Sequence, residues 1–533
     1  MTLKPFYERN TYVVDNPEVN VYFEDILSMS EDEFRDWVIL LRKTVVDSHV
    51  NHGCSAKMGK DESEIIDNWN KLETFPVHKF EHKDELSDAD YMDVIINTTR
   101  GGSEVDQFFP NMMRTRINYG VSDNGYSIFD LFNEDRFLEK MVRTSKRHYR
   151  RDSFYHYSLS SRKNNIDISV VDVNTGIEWI LAFFGNPKIF RGYDFFLEET
   201  KKKEDKKNSG YSQVEYDDIL SLSADEVRSV LDSGVLKHRH LSNIDTENLS
   251  DDNRYVIRIY KKKQRLFPKA FASFRIGYIQ PAVNFPAMTA KYLYERYTDH
   301  LIGREEPIRI YDPSAGWGGR ILGAMSVRTN RKIHYIGTDP NPENYFDDGS
   351  SRYSNAIDFY HTKTTKSNPF FSDQQTYELY MLGSEVIQND ENFQKHKGKI
   401  DLTFTSPPYF NREAYSEDEN QSFKKFGDSY ASWRDGFLEP TIKTICEWSR
   451  DGAYALWNIA DILVGGEYFP LEDDSIRFFE KYGMKHIQLL KMAMQGMPGQ
   501  NRVDEDGVPK CKNFCKVNDT YYKYEPIFVF KKG

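Results

Sequence analysis

From about Tyr255 to the end of the chain, short β-rich runs alternate with helical stretches, and this alternation constrains the fold more than any other feature. Parallel strands need a crossover of a dozen or more residues between them, normally a helix, so the pattern builds a mostly parallel α/β sheet with helices on its faces. Seven strands are expected, over Ile308 to Tyr311, Ile333 to Gly337, Tyr377 to Met381, Asp401 to Thr405, Ala453 to Trp457, Lys485 to Met492 and Ile527 to Phe530. Helices fit between most of them, including Arg320 to Val327, Tyr430 to Trp448 and Ser475 to Tyr482.

The chain has 533 residues, too many for one ordinary core, and roughly 150 residues per domain gives two to four units. We expect an N-terminal domain over 1–205, mainly helical or α+β, a linker with a helical segment over 206–254, and the α/β domain over 255–533. Asp25 to Arg35 echoes Asp218 to Arg228. Both are helix starts, with Ser30 or Ser223 as N-cap and Glu33 or Glu226 closing a capping box; convergence on a good helix start and duplication of a module explain them equally well. The stretch Glu198 to Ser209 mixes Lys and Glu without apolar residues and reads as an exposed linker.

The balance of 71 Lys+Arg against 83 Asp+Glu gives 71 − 83 = -12, the wrong sign for a protein that coats nucleic acid. Nucleic-acid contacts must then come from local basic patches. Arg147, Arg150 and Arg151 interleave with aromatic residues, a mixture that grips phosphates and stacks on bases; Lys262 and Lys263 belong to a second basic stretch. A solvated helix face produces similar runs. A mean hydropathy of -0.68 and the lack of any apolar run of membrane length predict no membrane association and a cytoplasmic location. The 4 cysteines do not form a disulfide framework, and Cys511 and Cys515 lack the further ligands of a zinc site, so no metal is expected.

Chemistry collects at the ends of the expected strands. The first runs into Asp312-Pro313-Ser314-Ala315-Gly316-Trp317-Gly318-Gly319 and then a helix, a turn whose backbone N–H groups can approach an anionic or carboxylate-bearing ligand closely. The second ends at Asp339, where a carboxylate can accept from both hydroxyls of a ribose. The third ends at Ser384-Glu385, a polar pair that can read an adenine edge, or a serine that caps the next helix. The fourth stops at Ser406-Pro407-Pro408-Tyr409, because two prolines cannot continue a ladder and hold the terminus rigid. There the Ser406 hydroxyl and Pro407 carbonyl can accept from an NH2 group while Tyr409 offers a ring; by itself the peptide is no more than a rigid turn.

Taken together, the turn after the first strand, the acid after the second and Ser406-Pro407-Pro408-Tyr409 after the fourth resemble the S-adenosylmethionine-dependent methyltransferases that modify adenine N6 or cytosine N4 in DNA. The ending Tyr524-Glu525-Pro526-Ile527-Phe528-Val529-Phe530 is similar to theirs, and Phe285 lies where the family often has a cofactor contact. The resemblance covers roughly the C-terminal half and departs from it at Ser314, where many members carry Phe. It implies a Rossmann-like seven-stranded sheet and S-adenosylmethionine as cofactor, held by Phe285, Asp312, Ser314, Ala315, Gly316, Gly318, Asp339, Ser384 and Glu385. Catalysis falls to Ser406, Pro407, Pro408 and Tyr409, acting on duplex DNA with a flipped base in a prokaryotic or phage-infected cytoplasm, as in restriction-modification. RNA or protein amide methylation with the same loop, and a non-catalytic DNA-binding protein, are the alternatives.

Overall fold

The computed structural model describes residues 18–19, 29–53, 62–117, 125–139, 141–142, 282–328, 330–364, 375–415, 418–427, 429–494 and 511–533. Arg147, Arg150, Arg151, Lys262 and Lys263, the second copy of the echo, and the expected linker all lie outside these residues. The chain divides into two compact units. One comprises 1–10, 48–131 and 279–533, and the other 11–47 and 132–278.

In the first unit the strands are, in chain order, β1 (Glu81–His82), β2 (Val94–Ile95), β3 (Arg116–Ile117), β4 (Ile308–Asp312), β5 (Ile333–Thr338), β6 (Thr376–Tyr380), β7 (Ile400–Thr405), β8 (Glu413–Ala414), β9 (Ser449–Asn458), β10 (Ile462–Val464), β11 (Glu467–Phe469), β12 (Met484–Ala493), β13 (Phe514–Val517) and β14 (Thr520–Lys532). The seven expected strands are β4, β5, β6, β7, β9, β12 and β14. The main sheet runs β1-β2-β12-β14-β9-β7-β4-β5-β6. Its β6-β5-β4-β7-β9 portion is parallel, and β14 inserts antiparallel to both β9 and β12. This is a Rossmann-like α/β sheet, with the order of strand addition reversing between the parallel neighbours β4 and β7, the place where such sheets open a crevice at the carboxyl ends of their strands.

Alternation along the strands divides their side chains between two cores. Ile310, Tyr335, Leu402, Phe404, Leu456 and Val529 face one, whereas Tyr311, Ile336, Ala455, Trp457, Phe528 and Phe530 face the other. The second core is closed by helices Glu439–Trp448 and Leu471–Lys481. The expected helix from Tyr430 to Trp448 is broken by a π segment over Arg434–Leu438. Pro440 has no N–H to give, so the regular ladder widens just before it.

The first core shows where the domain boundaries differ from expectation. Helices Ala287–Tyr297 and Gly319–Met325 cover that face, but Ile65, Trp69, Leu72, Phe80, Ile95 and Phe109 complete it. Trp69 stacks on Tyr360 at 4.9 Å, and β2 joins the sheet edge parallel to β12. Residues 48–131 therefore share a core with the α/β domain instead of forming a domain with the rest of 1–205. The physical reason is apolar area: the sheet face is wider than its own helices cover, and bulky side chains buried there each contribute about 1.5–3 kcal/mol.

The second unit contains Phe34, Trp37, Val38 and Leu41 of helix Glu31–His52, all buried. The helix starts as its sequence predicts. Glu33 N–H donates to Ser30 Oγ at 3.3 Å, and Ser30 N–H donates to the Glu33 carboxylate at 2.7 Å. Arg42 donates to the carbonyl of Phe132 at 3.1 Å.

Candidate active site

The turn after β4 is built around a buried carboxylate. Asp312 is fully buried and accepts from Arg320 Nε at 2.7 Å, Tyr335 Oη at 2.6 Å and Thr405 Oγ1 at 2.8 Å, tying β4, β5, β7 and the following helix together. Burial opposes the Arg320 charge, but Asp312 outweighs it and raises the guanidinium above its usual range. Arg320 also donates to the Ser314 carbonyl, closing the turn. Gly316 and Gly318 have φ of 61° and 79°, which a side chain would resist. A Cβ on Gly318 would stand 2.7 Å from the Phe109 ring, so its smallness serves packing by the N-terminal segment rather than ligand approach.

Asp339, at the end of β5, accepts from Gly316 N–H at 2.9 Å, Asn341 N–H at 2.9 Å and Tyr353 Oη at 3.0 Å. Burial pushes its carboxyl up to about 6, against the lowering effect of these donors. After β6, Ser384 Oγ meets Thr441 Oγ1 at 2.9 Å, and the short helix that follows takes Val386, not Ser384, as its N-cap; Glu385 is ion-paired with Lys425 at 2.7 Å.

The loop after β7 is held from several directions. Phe410 follows Tyr409 at a φ of 51°, an uncommon conformation for a bulky residue, and is pinned by Tyr430, Trp433 and Phe469. Tyr409 Oη donates to Glu525 Oε1 at 2.7 Å and lies 3.1 Å from the Asn458 carbonyl. The Glu413 carboxyl is pushed up to about 7, chiefly by burial, with Tyr415 Oη donating to it at 3.0 Å. Tyr415 in turn packs edge-on against Trp317 of the first turn, 5.5 Å between centroids.

These elements surround one cavity of about 860 Å³ at the carboxyl ends of β4, β5, β6 and β7. Phe285, Ser314, Gly316, Asp339, Ser384, Glu385, Ser406, Pro407, Pro408 and Tyr409 all line it. Asp312, Ala315 and Gly318 do not: Asp312 is spent on bonds behind the turn, Ala315 is in the core, and Gly318 faces Phe109. The sequence missed Asn97, Thr99 to Gln107, Arg320, Glu413, Tyr415 and Glu525, which also contribute to the wall. Asn284 joins the N-terminal segment to the turn, donating to Asp106 at 2.8 Å and the Trp317 carbonyl at 2.7 Å. Two-residue strands such as β3 and β8, paired at Ile117 and Glu413, carry no readable period and hid that arrangement.

No family model and no curated protein matches this chain. Among solved structures, it is similar to a candidate DNA modification methylase from Thermus thermophilus, with 17% identity and a TM-score of 0.18, over 28% of this chain and 49% of that one. The match thus spans about half of that protein's length. A TehB-like SAM-dependent methyltransferase from Corynebacterium glutamicum gives 14% and 0.22, over 46% and 88%. A geranyl diphosphate methyltransferase in complex with SAM gives 9% and 0.25, over 46% and 86%. At such values the likeness decides nothing about chemistry. Among the described residues, no helix is long and apolar enough to cross a membrane.

Proposed function

We propose that this protein transfers a methyl group from S-adenosylmethionine to the exocyclic amino group of cytosine, at N4, or adenine, at N6, in DNA. The observation that carries the reading is the convergence of Gly316, Asp339 and Ser406 to Tyr409 on one cavity at adjacent strand ends. The cavity's charge fits the cofactor. Glu104, Asp106, Asp339, Glu385, Glu413, Asp418 and Glu525 line it against Arg100 and Arg320, a balance that favours a sulfonium and disfavours a phosphate group inside. The sequence resemblance to the DNA amino-methyltransferases supports the same assignment.

When bound, S-adenosylmethionine would supply an electrophilic methyl group. Asp339 would accept from the ribose, and the glycine turn and Phe285 would complete the walls that hold the cofactor. The lone pair of a base amino group is delocalised into the ring and is a poor nucleophile. Ser406 Oγ and the Pro407 carbonyl would accept from the NH2 and draw the nitrogen toward tetrahedral geometry, with Tyr409 holding the base. The rate gain comes from alignment and from negative groups placed where positive charge develops on nitrogen.

The test is incubation with tritiated cofactor and duplex DNA, tRNA or protein in parallel, with calorimetry for cofactor binding. Label in DNA that maps to an amino nitrogen is expected. Label confined to RNA or protein would move the reading to those substrates, and absence of cofactor binding would make the chain a non-catalytic DNA-binding protein.

A further inference from the structure

We propose that Glu525 is the terminal acceptor of the proton lost by the methylated nitrogen, reached through Tyr409 and Ser406. The inference rests on the functional reading above and deepens it. Glu525 acts at one remove from the substrate and is a positioning residue that also receives a proton.

The geometry begins with an interruption in the sheet. β14 pairs with β9 from Ile527 onward, whereas Glu525 pairs with β12 alone, opposite Met492. Pro526 between them has no N–H to extend the pairing, so the edge of β14 opens toward the cavity at Glu525. Asn458 fixes the junction from β9, its side chain donating to the Pro526 carbonyl at 2.9 Å and its own carbonyl 3.1 Å from Tyr409 Oη. Glu525 Oε1 takes the Tyr409 hydroxyl at 2.7 Å; burial and Glu525 raise the phenol above its usual range, and the Ser406 side chain, on the same cavity wall, pulls the other way. In the proposed relay Ser406 donates to the phenol and the phenol donates to Glu525. Ser406 Oγ, on the cavity wall, then keeps its lone pairs for a donor that enters the cavity.

Atoms and charge are conserved in the step. The amino nitrogen's lone pair forms the bond to the methyl carbon while the carbon–sulfur bond breaks and its electron pair stays on sulfur. The nitrogen then carries one proton too many. That proton passes to Ser406 Oγ as the serine proton moves to Tyr409 Oη and the phenolic proton moves to Glu525. Ser406 and Tyr409 end unchanged, Glu525 ends neutral, and it returns the proton to water in the cavity.

The surroundings suit a carboxyl that must hold a proton briefly. Burial raises Glu525 above the ordinary glutamate range, opposed by the Tyr409 hydroxyl and by Lys523 and Arg412; across the pocket Glu413 is pushed up to about 7, chiefly by burial, with the Glu525 charge adding to the rise. Lys491, on β12, is already committed to Asp84 and Asp93.

The experiment measures kcat and KM against pH for the native protein, Glu525→Gln, Glu525→Asp, Tyr409→Phe and the Glu525→Gln/Tyr409→Phe pair. Glutamine keeps an acceptor for Tyr409 but cannot take the proton; phenylalanine keeps the ring but severs the chain. We expect each of these to lower kcat roughly tenfold to hundredfold with both KM values little changed, the double variant to be no worse than either single, and aspartate to recover part of the loss. The acid limb of the native kcat profile should vanish in Glu525→Gln. Additive losses, or an unchanged acid limb, overturn the relay while the functional reading stands. A native protein that methylates no amino nitrogen overturns both.

Discussion

Asp339 accepts three donors while facing the cavity, which makes it the residue on which cofactor binding should depend most. Asp339→Ala should weaken S-adenosylmethionine by about 1–3 kcal/mol, the usual effect of losing a charged acceptor, as read by calorimetry. The pH dependence has a definite sign. A carboxyl pushed up to about 6 is protonated below that value and then gives up acceptor capacity to a proton, so affinity should fall as pH drops through 6 and level off above it. A flat profile from about pH 5 to 8 would remove the ribose assignment. For folding, the same raised value favours the native state when Asp339 is neutral, and that contribution is lost as pH rises from the free-acid range through 6. Ser406→Ala separates the other half of the site. Turnover should fall about a hundredfold with cofactor affinity unchanged, and equal activity would refute its role as acceptor.

The ion triad that ties β2 to β12 has consequences for a whole element. Lys491 Nζ lies 2.6 Å from Asp84 and 2.7 Å from Asp93, all three nearly buried, beside the register pair Lys491↔Val94. Burial would raise Asp84, but Lys491 and backbone donors lower it on balance, so its share of stability is present above its unfolded pKa and lost as pH falls below that. Lys491→Ala leaves two buried carboxylates facing each other and should cost roughly 3 kcal/mol at about pH 7 in urea unfolding, with the deficit shrinking toward about pH 4 as they protonate. A pH-independent deficit would point to lost packing instead. This attachment was not legible in the sequence, and the reason is physical. β4, β5, β7 and β9 are buried on both faces and read as apolar runs, and their crossovers supply a helical period, so their order of appearance could be read directly. A two-residue strand has no period, and β2 is specified by Lys491, 396 positions beyond Ile95 in the chain. The site divides the same way. Asp339 and Ser406 to Tyr409 follow strand ends and were legible, whereas Glu413 and Glu525 acquire their meaning from Tyr415 and Tyr409 across the cavity.

For the whole molecule, the proposed DNA substrate raises the question of how a chain of net charge -12 would hold it. An acidic cavity attracts a sulfonium but repels phosphate, so under this proposal a DNA backbone would be gripped elsewhere, by attraction local enough to survive the field of the rest. Arg147, Arg150, Arg151, Lys262 and Lys263 are the sequence's candidates. Each phosphate neutralised releases counterions, so log affinity falls with log salt at a slope of about −0.9 per contact. Replacing the five with alanine should weaken binding to specific and unrelated duplexes alike and flatten that slope by up to about 4, measured by fluorescence anisotropy between about 50 and 200 mM salt. Cofactor affinity should not move, because the groups assigned to the cofactor are Phe285, Gly316 and Asp339. If the slope is unchanged, the contacts lie in other residues; if affinity drops for one sequence only, the five read bases rather than hold the backbone.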